Sequence, residues 1–462
     1  MTKYALYKMG SIALLLLSSV FYGCEKFLDE KSTMSLMLPK TYDDLQALMD
    51  NNGSVNTGMG PGLLEVGTDD YYLLPTVANK LQTVDKDLYF WNEFPGYTTS
   101  ITNTQWKRPY IPVFVGNTVL DYVDRINEKN PLKYNMVKGS AFFIKNYAYL
   151  LIAQTFAPPY NLSGTNEDPG IPLKMSSDVA EKTIRSTVKE TYEHIVTDLK
   201  KAVTLLPADI DSRMRPSRPA AYAALSRTYL IMGRYQDAME NAELALKGYD
   251  VLIDYANCDS NATLPFKILN EETIFHAVSV GLKPLNPSRA TIDKGLYSSY
   301  QINDYRKKLF FNKRADGTYS FKGSYTGFNI QSTFIGLTVP ELYLTLAECY
   351  ARLGKVRESG EVLTKLLVKR YKSGFVMPIF DNKEDLLDYV LLERRKEMLL
   401  RGVRWSDLRR LNQEPRHAKV LERQEVVGSD TIKHVLNIDD KRYTYLIPNE
   451  IIEFTGIPQN PR

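Results

Sequence analysis

The sequence predicts a mainly α-helical scaffold that is interrupted by two large irregular insertions and carries only minor β structure. Apolar residues recur at helical spacing in several long segments, and in the clearest case a glycine separates two such segments. Two other stretches, 53–110 and 265–338, are rich in Gly, Pro, Asn and aromatic residues and lack this period. Long loops on a rigid scaffold commonly carry binding sites. We therefore expect helices to build the frame and the two insertions to face a ligand.

The N-terminal segment has the pattern of an export signal that ends at a cysteine. Lys3 and Lys8 precede an apolar run over residues 12–20, which is too short to span a bilayer comfortably. The run stops shortly before Cys24, which we predict to be the lipidated first residue of the mature chain. Several acyl chains on one N-terminus hold a soluble domain firmly at a membrane surface. An uncleaved N-terminal anchor helix is the alternative.

This signal divides the chain into three parts. Residues 1–23 are the predicted lipoprotein signal peptide, residues 24–40 the lipidated tether, and residues 41–462 a single domain. A domain of this length can bury a large hydrophobic core without disulfides. Cys258 and Cys349 are therefore predicted to be free thiols.

Helices account for most of the predicted domain. Thr41, followed by Asp43 and Asp44, has the residue types of a helix start, because threonine caps the first turn and acidic residues favour it. Helical spacing of apolar residues predicts helical pairs in four regions: 112–156, 187–247, 340–371 and 383–411. Near the C-terminus, residues 443–447 have the composition of a strand that ends at a proline.

Two of these regions share one order of residues. The first has apolar residues at helical spacing, then a turn glycine, then a second helix that begins with a small residue: Tyr222, Leu225, Tyr229, Gly233, Ala238, Ala242 and Ala245. The second repeats that order: Tyr343, Leu346, Tyr350, Gly354, Ser359, Leu363 and Leu366. Small residues at Ala238 and Ser359 let paired helices approach closely, and glycine gives the turn its backbone freedom. The arrangement resembles a degenerate tetratricopeptide repeat.

Charge and motif content argue against several classes of function. The chain has 58 basic and 54 acidic residues, a formal net charge of +4, without long runs of one sign, so nucleic acid is not an expected partner. The 4 histidines lack zinc-ligand spacing and no Cys-x-x-Cys occurs, so neither a metal nor a cofactor is predicted. No Gly-x-Ser-x-Gly nucleophile motif occurs. Residues 58–62 are glycine-rich, but Pro61 removes an amide that a phosphate site would use, and we interpret them as a loop.

Over nearly its whole length the chain resembles the SusD/RagB family of bacterial outer-membrane nutrient-binding lipoproteins. Each piece of the resemblance is short, but the pieces occur in the family's order. They are residues 24–29, 41–45, 106–111 with Asn117, 148–150, 159–160, 169–173, 393–397, 402–410, 447–448 and 459–461. Within these pieces, Trp106 and Trp405 are interpreted as structural. The charged cluster 393–410 is interpreted as ion pairs that lock the last helices.

The resemblance implies a SusD-like fold and a binding protein without catalytic activity. Such a protein would be lipid-anchored in the outer membrane, exposed at the cell surface, and would deliver captured glycans to a SusC-like TonB-dependent transporter for nutrient uptake. Peptide capture on the same scaffold is an alternative. A lipid-anchored glycoside hydrolase is a further alternative, because a catalytic carboxylate pair is defined by a distance in space that sequence does not show. A pure assembly scaffold is another, since helical repeats commonly bind proteins.

The candidate ligand contacts are side chains whose chemistry suits sugars. Sugars pack their C–H-rich faces on aromatic rings, and their hydroxyls pair with Asn, Asp, Gln or Arg. Within the two insertions the candidates are Asp70, Tyr72, Trp91, Asn92, Tyr97, Tyr300 and Tyr325. Trp91 is the leading candidate for a stacking platform, because it lies between Tyr89-Phe90 and a turn-like segment.

Overall fold

The computed structural model describes residues 38–92, 100–209, 212–328 and 331–462. Helices predominate in these ranges, strands are short, and the predicted mainly α-helical class is confirmed. The signal peptide, Cys24 and most of the tether lie outside the described residues. Within the described ranges, no helix combines the length and the apolar character needed to cross a membrane.

Helices occur along the whole described part of the chain, with short strands between many of them. In chain order they are α1 (Tyr42–Met49), α2 (Leu63–Val66), α3 (Pro75–Ala78), α4 (Thr83–Phe90), α5 (Ser100–Lys107), α6 (Tyr110–Val123), α7 (Pro131–Phe156), α8 (Val188–Leu205), α9 (Arg218–Ile231), α10 (Tyr235–Gly248), α11 (Lys294–Ser299), α12 (Arg306–Leu309), α13 (Val339–Arg352), α14 (Val356–Leu367), α15 (Lys383–Glu397), α16 (Arg404–Leu411) and α17 (Asn449–Thr455). Helix α1 begins at a capping box in which Thr41 accepts from the Asp44 amide while Asp44 accepts from the Thr41 amide.

The strands pair two by two. They are β1 (Thr57–Gly60), β2 (Tyr71–Leu73), β3 (Pro169–Pro172), β4 (Arg185–Thr187), β5 (Thr273–Phe275), β6 (Val278–Ser279), β7 (Ala290–Ile292), β8 (Phe311–Lys313), β9 (Tyr319–Phe321), β10 (Leu337–Thr338), β11 (Leu421–Val427) and β12 (Asp430–Leu436). The pairs are β1–β6, β2–β7, β3–β4, β5–β10, β8–β9 and β11–β12. The first pair is parallel and the others are antiparallel.

Two helix–turn–helix units form the repeated part of the frame. Helices α9 and α10 are joined at Gly233 and helices α13 and α14 at Gly354, with φ angles of 66° and 77°. Both regions thus contain the helix, glycine turn and second helix that the sequence indicates. Helix α10 packs against α13, so the two units lie side by side.

Helix α7 is the centre of the core. Its residues from Val137 onward are almost all buried, because α6 and α8 pack on it from two sides. A helix enclosed in this way is apolar around its whole circumference and not along one stripe. The helix lies within the predicted helical region 112–156 and begins at Pro131, after the Asn130 cap.

The two insertions are joined to each other through strands. Strand β1 of the first insertion pairs with β6 of the second, and the side-chain Nδ2 of Asn56 donates to the carbonyl oxygen of His276 at 2.8 Å. The prediction of a loop over residues 58–62 is therefore wrong for residues 58–60, which belong to β1. Its partner strand is distant in sequence, so a local pattern does not show it.

The prediction of a strand over residues 443–447 is also wrong. The Tyr443 and Tyr445 rings pack on Trp405, with ring centroids 5.0 and 5.4 Å away. The Tyr445 amide donates to the carbonyl oxygen of Thr155, next to the end of α7, and not to a strand. Packing of the aromatic rings therefore overrides the strand propensity of this segment.

The charged cluster in α15 and α16 forms buried ion pairs, as the sequence indicates. Arg306 bonds Glu393 at 2.6 Å and Glu397 at 3.1 Å, and Arg370 bonds Glu397 at 2.9 Å. Lys396 bonds Glu393 at 2.7 Å. These contacts tie α15 to the second insertion and to the segment after α14.

Candidate ligand-binding surface

The two insertions meet at the antiparallel pair of β2 with β7. Tyr72 lies opposite Thr291 in this pair. Side chains alternate along a strand, so Tyr71 and Leu73 are buried in the core while Tyr72 is half-buried on the outer face. A polar aromatic side chain is thereby presented outward from a fixed backbone.

The hairpin of β8 and β9 holds an arginine near Tyr72. Arg314 Nη1 donates to Thr291 Oγ1 at 2.7 Å, and Nη2 donates to the carbonyl oxygens of Pro287 and Ala290 at 2.6 and 2.7 Å. Because Thr291 is the residue opposite Tyr72, these bonds fix the guanidinium close to the half-buried Tyr72 ring. Several acceptors on one guanidinium also fix its orientation.

Two further tyrosines stack face to face beside this strand pair. The rings of Tyr297 on α11 and Tyr319 on β9 have centroids 3.6 Å apart and an interplanar angle of 16°. Both are half-buried, so part of the stack faces solvent. The Lys307 ammonium lies 5.0 Å from the Tyr297 ring. Burial and the Tyr319 hydroxyl raise the pKa of Tyr297 to about 12.

The charges around Tyr72 are mixed in sign. Burial raises the pKa of the Tyr72 hydroxyl, Asp316 and Asp293 raise it further, and Arg314 lowers it. The hydroxyl and amide of Thr318 donate to Asp316 at 2.7 and 2.9 Å and lower the pKa of that carboxyl. Asp293 caps α11 through the Leu296 amide at 2.8 Å. Both carboxylates are therefore held in place as acceptors beside the tyrosine.

We call this set of residues the tyrosine surface. Its members are Tyr72, Asp293, Tyr297, Arg314, Asp316 and Tyr319. It combines flat aromatic rings with a cationic donor and two anionic acceptors, which is the inventory that a hydroxyl-rich ligand requires. Within the described ranges, no group of three or more His, Cys, Asp or Glu side chains is arranged to hold a metal ion.

Comparison with known protein families covers most of the chain. Residues 26–230 match the SusD-like family described as starch-binding and associating with the outer membrane, and residues 297–460 match the SusD family. The chain belongs to the SusD/RagB family. A SusD/RagB-family relative, the SusD-like protein P2 of Formosa agariphila, is 22% identical over an alignment of 431 positions that covers 79% of this chain and 81% of the relative.

Solved structures of SusD/RagB-family proteins share the fold. A SusD superfamily protein from Bacteroides thetaiotaomicron has a TM-score of 0.73 at 22% identity and covers 91% of this chain and 100% of its own. A protein from Bacteroides vulgatus described as a putative sugar binding protein has a TM-score of 0.72 at 22% identity, with 92% and 99% covered. A SusD-like carbohydrate binding protein from the same species has a TM-score of 0.69 at 18% identity, with 90% and 97% covered.

Four of the predicted contact residues of this SusD/RagB-family protein lie in the core. Asp70 is 1% exposed and bonds Arg395 at 2.8 Å. Trp91 is 5% exposed, and its Nε1 donates to the carbonyl oxygen of Gly67 at 3.1 Å. The Arg423 guanidinium lies 4.4 Å from the Trp91 ring. The structure thus places the expected stacking platform inside the protein.

Tyr300 and Tyr325 are likewise buried, at 0% exposure. The Tyr300 hydroxyl donates to the carbonyl oxygen of Lys396 at 2.8 Å, and the Tyr325 hydroxyl donates to Glu272 at 2.5 Å. The Arg401 guanidinium lies 3.6 Å from the Tyr325 ring. Both tyrosines are therefore covered by groups of the second insertion and of the segment from α15 to α16. The structure does not support a contact between either tyrosine and a ligand.

The remaining three candidates have different positions. Tyr72 lies on the tyrosine surface. Asn92 is half-buried and donates to Asp87 at 2.9 Å. Tyr97 lies outside the described residues. Tyr72 is the one member of the tyrosine surface among the seven candidates predicted from the sequence, whereas Tyr319 and Arg314 were missed. The dipeptide Asp316-Gly317 is a hairpin signal that could have indicated them.

Proposed function

We propose that this protein captures glycans at the cell surface through the tyrosine surface and delivers them to a SusC-like TonB-dependent transporter. The observation that carries the proposal is the half-buried Tyr297–Tyr319 stack, with centroids 3.6 Å apart, beside the β2–β7 pair that presents Tyr72 and the β8–β9 hairpin that carries Arg314. Sugars pack their apolar faces on such rings, while their hydroxyls need both donors and acceptors. The tyrosine surface supplies aromatic rings, a hydrogen-bond donor and hydrogen-bond acceptors.

The relatives support a glycan as the ligand. One matched family is described as starch-binding, and two of the similar solved structures are described as sugar or carbohydrate binding. SusD-like proteins are described in these terms as binding proteins. We accordingly propose binding without turnover.

The proposal also includes the place where capture occurs. One matched family is described as associating with the outer membrane. Cys24, shortly after an apolar run with the length of the apolar core of a signal peptide, supplies the proposed lipid anchor. A domain held at the surface in this way can bind a large ligand before the ligand crosses the membrane.

The test is calorimetric titration of residues 25–462, which contain the whole described fold, with a panel of polysaccharides, oligosaccharides and mixed peptides. Tyr319→Ala removes one ring of the stack, and Tyr72→Ala removes the outward tyrosine of β2. Tyr122→Ala, at a half-buried tyrosine of the frame helix α6, is the matched control. We expect saturable heat with one glycan class, at least tenfold weaker binding in the first two variants, and unchanged binding in the control.

Other results would assign other functions. Saturable heat with peptides alone would identify a peptide-capturing member of the family. Reducing ends released from a polysaccharide would identify a hydrolase and contradict binding without turnover. Glycan binding that Tyr319→Ala and Tyr72→Ala leave unchanged would place the site away from the tyrosine surface.

A further inference from the structure

Lysines flank the stacked rings of the tyrosine surface. The Lys307 ammonium on α12 lies 5.0 Å from the Tyr297 ring and donates to the carbonyl oxygen of Tyr300 at 2.7 Å. Lys313 on β8 lies directly opposite Tyr319 on β9. Residues that lie opposite each other in an antiparallel pair present neighbouring side chains on one face. The Lys313 side chain therefore starts beside the Tyr319 ring.

A third lysine lies on the helix that carries the other ring. Lys294 and Tyr297 are three residues apart on α11, and residues at this spacing lie on the same side of a helix. Lys294 and Lys313 are both exposed. Three lysines from three different elements, α11, α12 and β8, thus flank one aromatic stack. We call Lys294, Lys307 and Lys313 the stack lysines.

The stack lysines have no carboxylate partner in the described part of the chain. No Asp or Glu oxygen of that part lies within 4 Å of their ammonium groups. Arg306, next to Lys307 in the chain, is by contrast fully buried and bonds Asp304 at 2.9 Å. An ammonium has three N–H donors, and Lys307 uses one of them on Tyr300. Positive charge and free donors are therefore left for a ligand beside the stack.

Arg314, the residue after Lys313, adds a fourth cation. A guanidinium has five N–H donors. Three of those of Arg314 are used by Thr291 Oγ1 and by the carbonyl oxygens of Pro287 and Ala290. The remaining two can donate to a carboxylate or sulfate of a ligand, the acceptors that a guanidinium binds most strongly.

The two carboxylates of the tyrosine surface act on Tyr72. Burial raises the pKa of the Tyr72 hydroxyl, and Asp316 and Asp293 raise it further. The pKa of Tyr297 is instead raised by burial and by Tyr319. The tyrosine surface thus has its acidic groups beside Tyr72, and the stack has the lysines.

We propose that the tyrosine surface selects an acidic glycan, one whose sugar rings carry carboxylate or sulfate groups. This inference rests on the proposed function and narrows its ligand class. Sugar rings pack on the Tyr297–Tyr319 stack, while the anionic groups pair with the stack lysines and Arg314. A neutral glycan with the same backbone makes the ring contacts without the ion pairs, so it binds more weakly.

The first experiment compares glycans that differ only in charge, by calorimetry on residues 25–462. Polygalacturonate is compared with its methyl ester, and carrageenan with desulfated carrageenan. We expect saturable binding of one acidic glycan and about tenfold weaker binding of its neutral form, because several exposed ion pairs are lost together. Binding of polygalacturonate would identify carboxylate as the recognised group, and binding of carrageenan would identify sulfate. Equal affinities for the charged and neutral forms would overturn the proposal.

The second experiment tests the lysines. Lys294→Gln combined with Lys313→Gln removes two charges at exposed positions. Lys189→Gln combined with Lys200→Gln makes the same change at exposed positions of the frame helix α8 and is the control. We expect about fivefold weaker binding of the acidic glycan in the first variant alone, and thermal melting shows that both variants fold. Unchanged affinity in the first variant would overturn the role of the lysines.

The third experiment separates an acidic sugar from negative charge alone. Polyglutamate carries carboxylates but no sugar rings, so it cannot pack on the stack as a glycan does. Weaker binding of polyglutamate than of the acidic glycan, together with loss of glycan binding in Tyr319→Ala, would support the proposal. Equal binding of polyglutamate would overturn it.

The same titrations distinguish failure of this inference from failure of the proposed function. Saturable binding of a neutral glycan such as starch, lost in Tyr319→Ala, would overturn the acidic class and leave glycan capture standing. Absence of saturable binding with every acidic and neutral glycan would overturn both.

Discussion

The hydroxyl of Ser226 on α9 donates to the backbone carbonyl oxygen of Ala238 on α10 at 2.8 Å. In the second repeat unit, Ser359 on α14 donates to the carbonyl oxygen of Ala347 on α13 at 2.7 Å. A serine hydroxyl thus bonds the two helices of each unit at the same junction. The serine belongs to the first helix in one unit and to the second helix in the other. In both units the residue that faces the serine is alanine, which lets the helices approach closely enough for the bond.

Enlarging this junction should destabilise the fold. Ala238 is fully buried, so Ala238→Leu inserts three carbon atoms where the two backbones meet. Overpacking of a well-packed core costs about 1–3 kcal/mol. Urea denaturation should show that loss, whereas Ala180→Leu, at an exposed alanine, should leave the midpoint nearly unchanged. Equal midpoints for both variants would show that the junction has room.

Two glycines separate the effect of backbone conformation from that of space. A methyl group added at either Gly354 or Gly360 would meet no neighbouring side chain within 4 Å. The two differ in backbone conformation, because Gly354 has a φ angle of 77° whereas Gly360 lies inside α14. Gly360→Ala should stabilise the protein by about 0.5–1 kcal/mol, because alanine favours a helix. Gly354→Ala should destabilise it by about 1–2 kcal/mol, because the left-handed region is unfavourable for a residue with Cβ. Denaturation curves that shift in the same direction for both variants would contradict this account.

His276 should make stability depend on pH. It is 3% exposed, and burial lowers its pKa from 6.5 to about 4. The unfolded chain therefore binds the proton more readily between these values, and the stability that the neutral ring contributes is present above pH 6.5 and lost as pH falls through about 4. The free energy of unfolding should drop by about 2 kcal/mol from pH 7 to pH 5 through this group.

The control for this prediction is His276→Phe. Phenylalanine does not titrate and can keep the edge contact that His276 makes with Phe334, where the centroids are 5.5 Å apart. Urea denaturation of both proteins at pH 7 and pH 5 isolates the histidine, since all other carboxylates and histidines are common to both. An identical pH dependence in the two proteins would show that the pKa of His276 is the same in the folded and unfolded states.

The helical frame could be predicted from sequence because its determinants are local. The Thr41 cap, the Gly233 and Gly354 turns and the apolar spacing of α9 and α13 all lie within a few residues of the structure that they specify. Such signals act through backbone conformation and burial of one helix face. They are visible before any tertiary contact is known.

The candidate site could be predicted only in part because its determinants are distant. Tyr72 faces outward because β2 pairs with β7, more than two hundred residues later in the chain. Trp91 is covered because Arg423 comes from β11 and lies 4.4 Å from its ring. A loop aromatic that stacks on a distant arginine has the same local sequence as one that stacks on a ligand.

This difference predicts that two aromatic substitutions affect stability and binding differently. Trp91→Ala removes a buried ring and should cost about 3–5 kcal/mol of stability. Tyr72→Ala removes a half-buried ring and should cost about 1 kcal/mol while weakening the binding of the glycan. Chemical denaturation and calorimetric titration on the same samples check both. A Trp91→Ala protein of normal stability that fails to bind would restore Trp91 as a ligand contact.

Anchoring can be tested apart from the fold, because Cys24 precedes every described residue. If the membrane affinity of the protein comes from acyl chains on Cys24, Cys24→Ala should release it into the soluble fraction with its thermal melting point unchanged. Cys258→Ala, at a free half-buried thiol, should stay in the outer-membrane fraction and control for the loss of a cysteine. Cell fractionation followed by a high-salt wash checks both proteins. Retention of the Cys24→Ala protein after the wash would instead favour an uncleaved N-terminal anchor helix, since such a helix holds the chain without the cysteine.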